Sequence, residues 1–442
     1  MKQLVVIFTL WLAWMPVGAQ KTLTLEECLK LGIENNLSLE GSRNEMRKAK
    51  HLLSENRAKL WPQISAVAGF NDNFNPPVSV TDVSAYGNLY NVTKTLQYNA
   101  SAGLQLQMPL YNQTVYTAVD IARTLNELNR LSYEKAREDL MMQISKMYYL
   151  GQNTMEQLTL IQENMVRLRE LRDITLAFFD NGMAMEVDVK RVNINLENQQ
   201  VQYDNAKSML VQQLNLLKYV MDYPADEEIT LTPVDTERIQ LASLTGLRGD
   251  LYELQLLQSQ EKLAGQQKDL IRQGYLPSLT LTGSWMYSAY TDKARHWFHS
   301  GPSNHWYPST GLGITLRVPI FDGFDKRARI RKAQIDQENA KLNYENTLKN
   351  MQTQYLNATN ELMNNQRNFK KQKDNYLLAE DVYQVTTDRY REGIASMTEV
   401  LQDEMRMSEA QNNYLSAHYN YQVANLALLK LTGQMDRLLQ GN

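Results

Sequence analysis

The chain is poor in cysteine, in long apolar runs and, over two wide stretches, in proline and glycine. Cys28 is the single cysteine, so no internal disulfide can form. It reads as a small apolar filler, with a reactive thiol as the other reading. After Met15 no run approaches the ~20 apolar residues that a membrane helix needs. A strong charge of one sign is also missing: the net is -3, or -4 once Lys2 is removed, which argues against nucleic acid as a partner. There is no Walker loop, no HExxH and no GxSxG, and Gly311-Leu312-Gly313 follows a strand alternation rather than a phosphate loop. The expectation is therefore a chain without catalysis and without a cofactor.

What is present begins with an export signal. Lys2, the apolar run Leu4 to Met15, then Pro16 and Val17-Gly18-Ala19 have the form of a cleaved signal peptide over residues 1–19. The mature chain is expected to start at Gln20 and to leave the cytoplasm.

The scarcity of proline maps the rest. No proline lies between Pro109 and Pro224, or after Pro319. Because proline breaks helix interiors, both gaps can hold very long helices. Glycine is equally scarce there: only Gly151 and Gly182 in the first gap, and only Gly393 between Phe324 and Lys430. Heptad seams run through both. One carries Leu348, Tyr355, Leu362, Phe369, Tyr376, Tyr383 and Tyr390; the other steps through Leu140, Ile144, Met147, Gly151, Thr154, Leu158, Ile161, Met165, Leu168, Arg172, Thr175 and Phe179. This is coiled-coil spacing, interrupted at Gly151, Thr154, Arg172 and Thr175. Helices are expected over about 113–181 and 324–392, each stopped by a glycine, Gly182 or Gly393, and followed by a returning helix. About 69 residues make a helix of roughly 100 Å.

The two halves repeat with an offset of about 210 residues. Trp61-Pro62-Gln63-Ile64 corresponds to Leu276-Pro277-Ser278-Leu279, Met108-Pro109-Leu110-Tyr111 to Val318-Pro319-Ile320-Phe321, and Gly182 to Gly393. The first repeat is drawn over 20–221, a linker over 222–247, the second repeat over 248–433 and a tail over 434–442. Each repeat carries two alternating segments, at about 63–73 and 97–110, then 277–291 and 309–321. Apolar residues on one face, polar on the other and aromatics such as Trp61, Phe70, Trp285, Tyr287, Trp306 and Tyr307 suit transmembrane β-strands. Four strands cannot close a barrel, and open edges are not tolerated in lipid. Two or three copies would supply 8 or 12 strands, and twelve leave a conducting lumen.

At this point the chain resembles the TolC-type outer-membrane efflux protein family. The resemblance rests on Leu23-Thr24-Leu25-Glu26-Glu27-Cys28 with Asn35-Asn36-Leu37-Ser38-Leu39, on Trp61-Pro62-Gln63-Ile64, Arg248-Gly249-Asp250-Leu251, Tyr275-Leu276-Pro277-Ser278-Leu279 and Val318-Pro319-Ile320-Phe321-Asp322-Gly323. It continues in Arg389-Tyr390-Arg391-Glu392-Gly393 and Leu429-Lys430-Leu431-Thr432-Gly433. The chain departs from the family at Leu37 and Gly249, where proline is usual, and at Cys28, where a small alanine is common. The resemblance implies a mixed α and membrane β-barrel fold. In it, a homotrimer shares one 12-stranded barrel and a helical tunnel that crosses the periplasm. An α/β belt is placed at 20–25, 222–247 and the tail. The implied partners are outer-membrane lipid, a periplasmic adaptor and an inner-membrane pump of the RND, ABC or MFS type. Export of drugs or other small solutes is the leading reading. A type I conduit for polypeptides shares the fold, and a periplasmic coiled-coil scaffold without a pore is the third reading.

The hairpin tips at Gly182 and Gly393 are expected to form the periplasmic mouth. In the family, acidic residues just after the tip glycine constrict it. Asp188 takes that position in the first half and Glu399 in the second, while Gln402 replaces a further acid beside Asp403 and Ala395 replaces an arginine. Three copies of Glu399 would make a negative ring favouring cations. Arg317 falls on the polar side of its strand, facing a lumen. His296, His299 and His305 cluster in the loop before the fourth strand; close histidine spacing can bind zinc or copper, but this loop would face the cell exterior and no metal site is expected.

Overall fold

The computed structural model describes residues 21–82, 90–94, 96–233, 246–291 and 306–440. The expected signal peptide and the three clustered histidines lie outside them. The chain folds as two compact units.

One unit comprises Met46–Asn129 and Leu257–Leu342 and holds the main sheet. Its strands are β2 (Gln63–Asp72), β5 (Tyr98–Tyr111), β7 (Ser278–Thr291) and β8 (Trp306–Arg317), adjacent in that order and antiparallel throughout. Each repeat thus contributes a pair, and the pairs join through β5 and β7. Between β2 and β5 lies a short antiparallel hairpin, β3 (Val78–Asp82) with β4 (Tyr90–Lys94), in a stretch that reads as loop in the sequence.

The cross-strand register sorts the side chains by polarity. One row runs Ile64, Leu106, Gly283, Leu312; the row beside it on the same face contains Leu104 and Trp285. The opposite face runs Gln63, Gln107, Thr282, Gly313, then Ser65, Gln105, Ser284, Gly311. Because strand side chains alternate, a single register fixes both faces. The apolar face is bare: Ile64, Trp285, Leu312 and Ile314 are all exposed, Leu312 at 77%. The alternation pattern extends the fourth strand to about 321, but β8 starts at Trp306 and stops at Arg317. Pro319 has no N–H for a ladder, and Val318 to Ile320 leave the sheet. Pro109, in contrast, stays within β5, where the register shifts between it and Tyr111.

The other unit comprises Met1–Glu45, Arg130–Leu256 and Asn343–Asn442. Here β1 (Lys21–Leu23) pairs in parallel with β6 (Ile229–Leu231). Around them pack α1 (Leu25–Asn35), the start of α2 (Leu37–Ala58), and the unit's portions of α3 (Gln113–Asp180), α4 (Glu186–Met221), α5 (Tyr252–Gln273), α6 (Asp325–Arg391) and α7 (Met397–Leu431). Thr24 and Glu27 form a reciprocal cap on α1, each side chain bonding the other's backbone N–H. The α3 and α6 helices are 68 and 67 residues long, far beyond an ordinary globular helix.

Part of each seam is buried, Leu140, Ile144, Ile161, Met165 and Leu168 on α3 and Leu362, Tyr383 and Tyr390 on α6, whereas Phe179 is exposed and Met141, Leu160 and Leu171, off the seam, are buried as well. The interruptions acquire reasons. A methyl group on Gly151 would come within 2.8 Å of Leu231 Cδ1, so the small residue admits β6. Thr175 returns its hydroxyl to Leu171 O at 2.7 Å and accepts a bond from the Tyr390 hydroxyl at 3.4 Å. Cys28 is fully buried, and burial together with the Glu27 charge pushes its thiol up to about 12, so it is an inert core group.

Candidate functional site at the hairpin tips

The two helix-to-helix turns are built alike. At the first, Gly182 has φ +74°; its N–H donates to Phe179 O at 2.9 Å and Met183 N–H to Phe178 O at 2.7 Å. At the second, Gly393 has φ +77°; its N–H donates to Tyr390 O at 2.9 Å and Ile394 N–H to Arg389 O at 2.8 Å. Both are Schellman-type stops, which is why glycine stands at each. The returning helices start differently. Ser396 caps α7 reciprocally with Glu399, whereas Met185 gives α4 no side-chain cap.

Each acidic candidate has a local partner. Asp188, 9% exposed, pairs with Arg191 at 3.2 Å, and Arg191 also donates to Thr398 Oγ1 on α7 at 3.4 Å. Asp188 and Arg191 therefore link the first hairpin to the second. Glu399 is exposed, but its carboxylate accepts the Ser396 N–H at 3.3 Å. Asp403 accepts the Thr386 hydroxyl at 2.8 Å and pairs with Arg406 at 3.2 Å. Gln402 lies on an open groove of about 530 Å³ with Arg191, Ile194, Asn195, Thr398, Leu401 and Met405. Ala395 is buried in the apolar cluster beneath the turns, with Leu171, Val192, Tyr390, Met397 and Val400.

Sequence reasoning missed a polar stripe behind the tips. Glu404, Gln411, His418 and Asn425 recur every seven residues on α7 and are all 5% exposed or less. They alternate with Val400, Met407, Tyr414, Tyr421 and Leu428, also at seven-residue steps and buried. Gln411 exchanges two amide bonds with Asn164 on α3, at 2.7 and 3.3 Å. Glu404 accepts from Gln199 on α4 at 3.3 Å. His418 lies against Phe369 on α6 with ring centroids 5.0 Å apart, and its buried Nε2 meets no partner. Burial, helped by Lys373, pushes this imidazole down to about 4, so it is neutral. A seven-residue count along α7 would have found the stripe; a search for apolar heptads passes over it.

Arg317 ends β8 opposite Ser278, on the polar face with Thr282 and Ser284. Among the described residues, no group of three or more His, Cys, Asp or Glu is disposed to hold a metal, and no helix is long and apolar enough to cross a membrane.

A sequence model of outer membrane efflux proteins matches residues 29–221 and 252–434, most of the chain and in two segments. The chain belongs to the outer membrane efflux protein family. Curated relatives agree. The outer membrane protein TolC of Vibrio cholerae is 23% identical over 70% of this chain and 68% of its own length. The probable efflux pump outer membrane protein TtgC of Pseudomonas putida is 22% identical over 71% of this chain and 63% of its own length, so the alignment spans less than two thirds of that relative. Among solved structures, the CmeC outer membrane channel of Campylobacter jejuni superposes with a TM-score of 0.74 at 18% identity, covering 93% of this chain and 85% of that one. The resemblance found in the sequence motifs is thus borne out, and so is the fold class. This is an outer membrane efflux protein, and the sheet's bare apolar face suits lipid contact.

Proposed function

We propose that three copies of this chain close a single twelve-stranded barrel in the outer membrane and a helical tunnel in the periplasm. The assembly is a passive conduit for solutes. The observation that carries this reading is the sheet itself: four antiparallel strands with, among the described residues, β2 and β8 at its two edges, apolar on one face and polar on the other. Since neighbours alternate in direction, β8 of one copy can pair antiparallel with β2 of the next, and the ring closes head to tail. An unclosed edge would leave N–H and C=O groups without partners in hydrocarbon. Twelve strands leave a lumen, lined by Gln63, Ser65, Gln105, Gln107, Thr282, Ser284 and Arg317.

In this reading the chain catalyses nothing. An inner-membrane pump of the RND, ABC or MFS type supplies energy, and a periplasmic adaptor joins pump to channel. The repeats are 20–221 and 248–433, supported by the two family matches. The turns at Gly182 and Gly393, with Asp188, Glu399, Gln402 and Asp403, border the periplasmic mouth. The cargo is drugs or other small solutes, supported by relatives named as efflux pump components. The test is the mass and conductance of the detergent-extracted protein. A trimer that conducts in planar bilayers is expected; a monomer soluble without detergent would overturn the reading.

A further inference from the structure

Gln199 and Glu404 face each other from α4 and α7, the two helices that return from the tips. Glu404 is 3% exposed and Gln199 is 6% exposed. The Gln199 amide donates to Glu404 Oε1 at 3.3 Å, while its own carbonyl oxygen is buried and meets no donor. A buried acceptor left without a proton is costly. Turning the amide over does not help, because its oxygen would then stand 3.3 Å from a carboxylate oxygen. A proton on the Glu404 carboxyl resolves the turned orientation, in which the acid donates to the amide oxygen across that same contact.

We infer that Glu404 is held as the neutral acid and forms with Gln199 a hydrogen-bonded latch between α4 and α7, which loosens when Glu404 ionises. Loss of the proton to water leaves the carboxylate bonded by the Gln199 amide N–H alone, with the Gln199 oxygen buried and without a donor. The surroundings offer little compensation. On α3, Arg167 is the cation that acts on Glu404; its terminal nitrogens bond Asn164 and lie 3.7 Å from Glu380 and 4.0 Å from Glu163, while its Nε is buried and bonds no group. On α6, Tyr383 presents only a hydroxyl, itself pushed up by burial. On α7, Asp403 and Arg406 are paired with each other. Burial accordingly pushes the Glu404 carboxyl up, against the opposing pulls of Gln199 and Arg167.

The sign follows by linkage. A carboxyl raised in this packing favours it fully below the ordinary glutamate value, and the advantage is lost as pH rises through the raised one. On the channel reading above, on which this consequence rests, alkaline conditions loosen the helices behind the mouth and acid conditions tighten them.

The experiment uses the full-length protein in detergent. Infrared spectra across pH should contain a protonated-carboxyl C=O band that persists well above the ordinary glutamate range of about 4.3. That band should lose one component in Glu404→Gln, which keeps an amide–amide pair without a titrating group, and the remainder belongs to Glu138. Thermal melting of the two proteins should coincide near pH 4, with the wild type falling progressively below the variant as pH rises. A wild-type carboxyl band that titrates only in the ordinary range would overturn the latch, as would a melting difference that does not change with pH. If Glu404→Gln fails to fold, the band is read in Glu138→Gln, which removes the other strongly raised carboxyl: its persistence there supports the latch and its loss overturns it. Bilayer conductance of the wild type is recorded in parallel; its absence would count against the channel and leave the infrared result standing.

Discussion

At single residues, burial of titratable groups sets opposing pH dependences. His418 is neutral because its pocket of Phe369, Tyr414 and Tyr421 gives no partner to a cation. Its value falls from 6.5 to about 4 on folding, so its contribution is complete above pH 6.5 and is lost as pH drops toward 4. His418→Phe, which keeps the stack, should flatten that part of a plot of melting temperature against pH. Glu138 has the opposite sign. Burial, resisted by Lys430, raises it from 4.5 to about 7, so its contribution declines as pH climbs through that window. Comparison with Glu404→Gln isolates Glu404 from both. Gly103 is a steric case: a Cβ there would collide with the Trp285 carbonyl and Met286 on β7. Gly103→Ala should prevent the sheet from forming, seen as loss of the heat-modifiable band on a semi-native gel.

At the scale of elements, the long helices hold together through polar pairs as well as apolar layers. Asn164→Ala would strand the Gln411 amide in the core, at a cost of about 1–3 kcal/mol measured by denaturant unfolding. Replacing both by leucine should cost less than the single change, because no buried amide is left without a partner. Such pairs also fix which helices meet and in what register, a need made acute by two similar repeats. The cap on α7 separates two roles of one acid. Ser396→Ala should destabilise α7 by ~1 kcal/mol. Glu399→Gln should leave much of the cap intact while removing charge, so unchanged ion selectivity in single-channel recordings would reject the proposed Glu399 ring.

For the whole molecule, the two faces of the sheet predict opposite tolerances. Leu312→Arg places a charge on the apolar face, and each copy should lose roughly 2–4 kcal/mol of membrane stability at mid-depth. Thr282→Arg, one residue along from Gly283 in the paired row and on the other face, should assemble normally and alter conductance. Membrane assembly assays on the two variants test the assignment of faces directly. Equal failure of both would mean that the polar face does not line an aqueous lumen.

Much of this architecture was written in local pattern. Proline gaps between Pro109 and Pro224 and after Pro319 leave helices unbroken, heptads orient them, and alternation marks strands. These signals are short-ranged and depend only on backbone chemistry, so the sequence carries them unaided, together with the motifs that identify the family. The β3–β4 hairpin and the end of β8 at Arg317 were less legible, because pairing partners rather than propensity decide strand limits. Only the tertiary structure joined Glu404 to Gln199, Gln411 to Asn164 and Arg191 to Thr398, across about 205 to 247 residues of chain. Polar side chains do not announce their partners; which of them become buried, and beside what, is settled when distant helices pack.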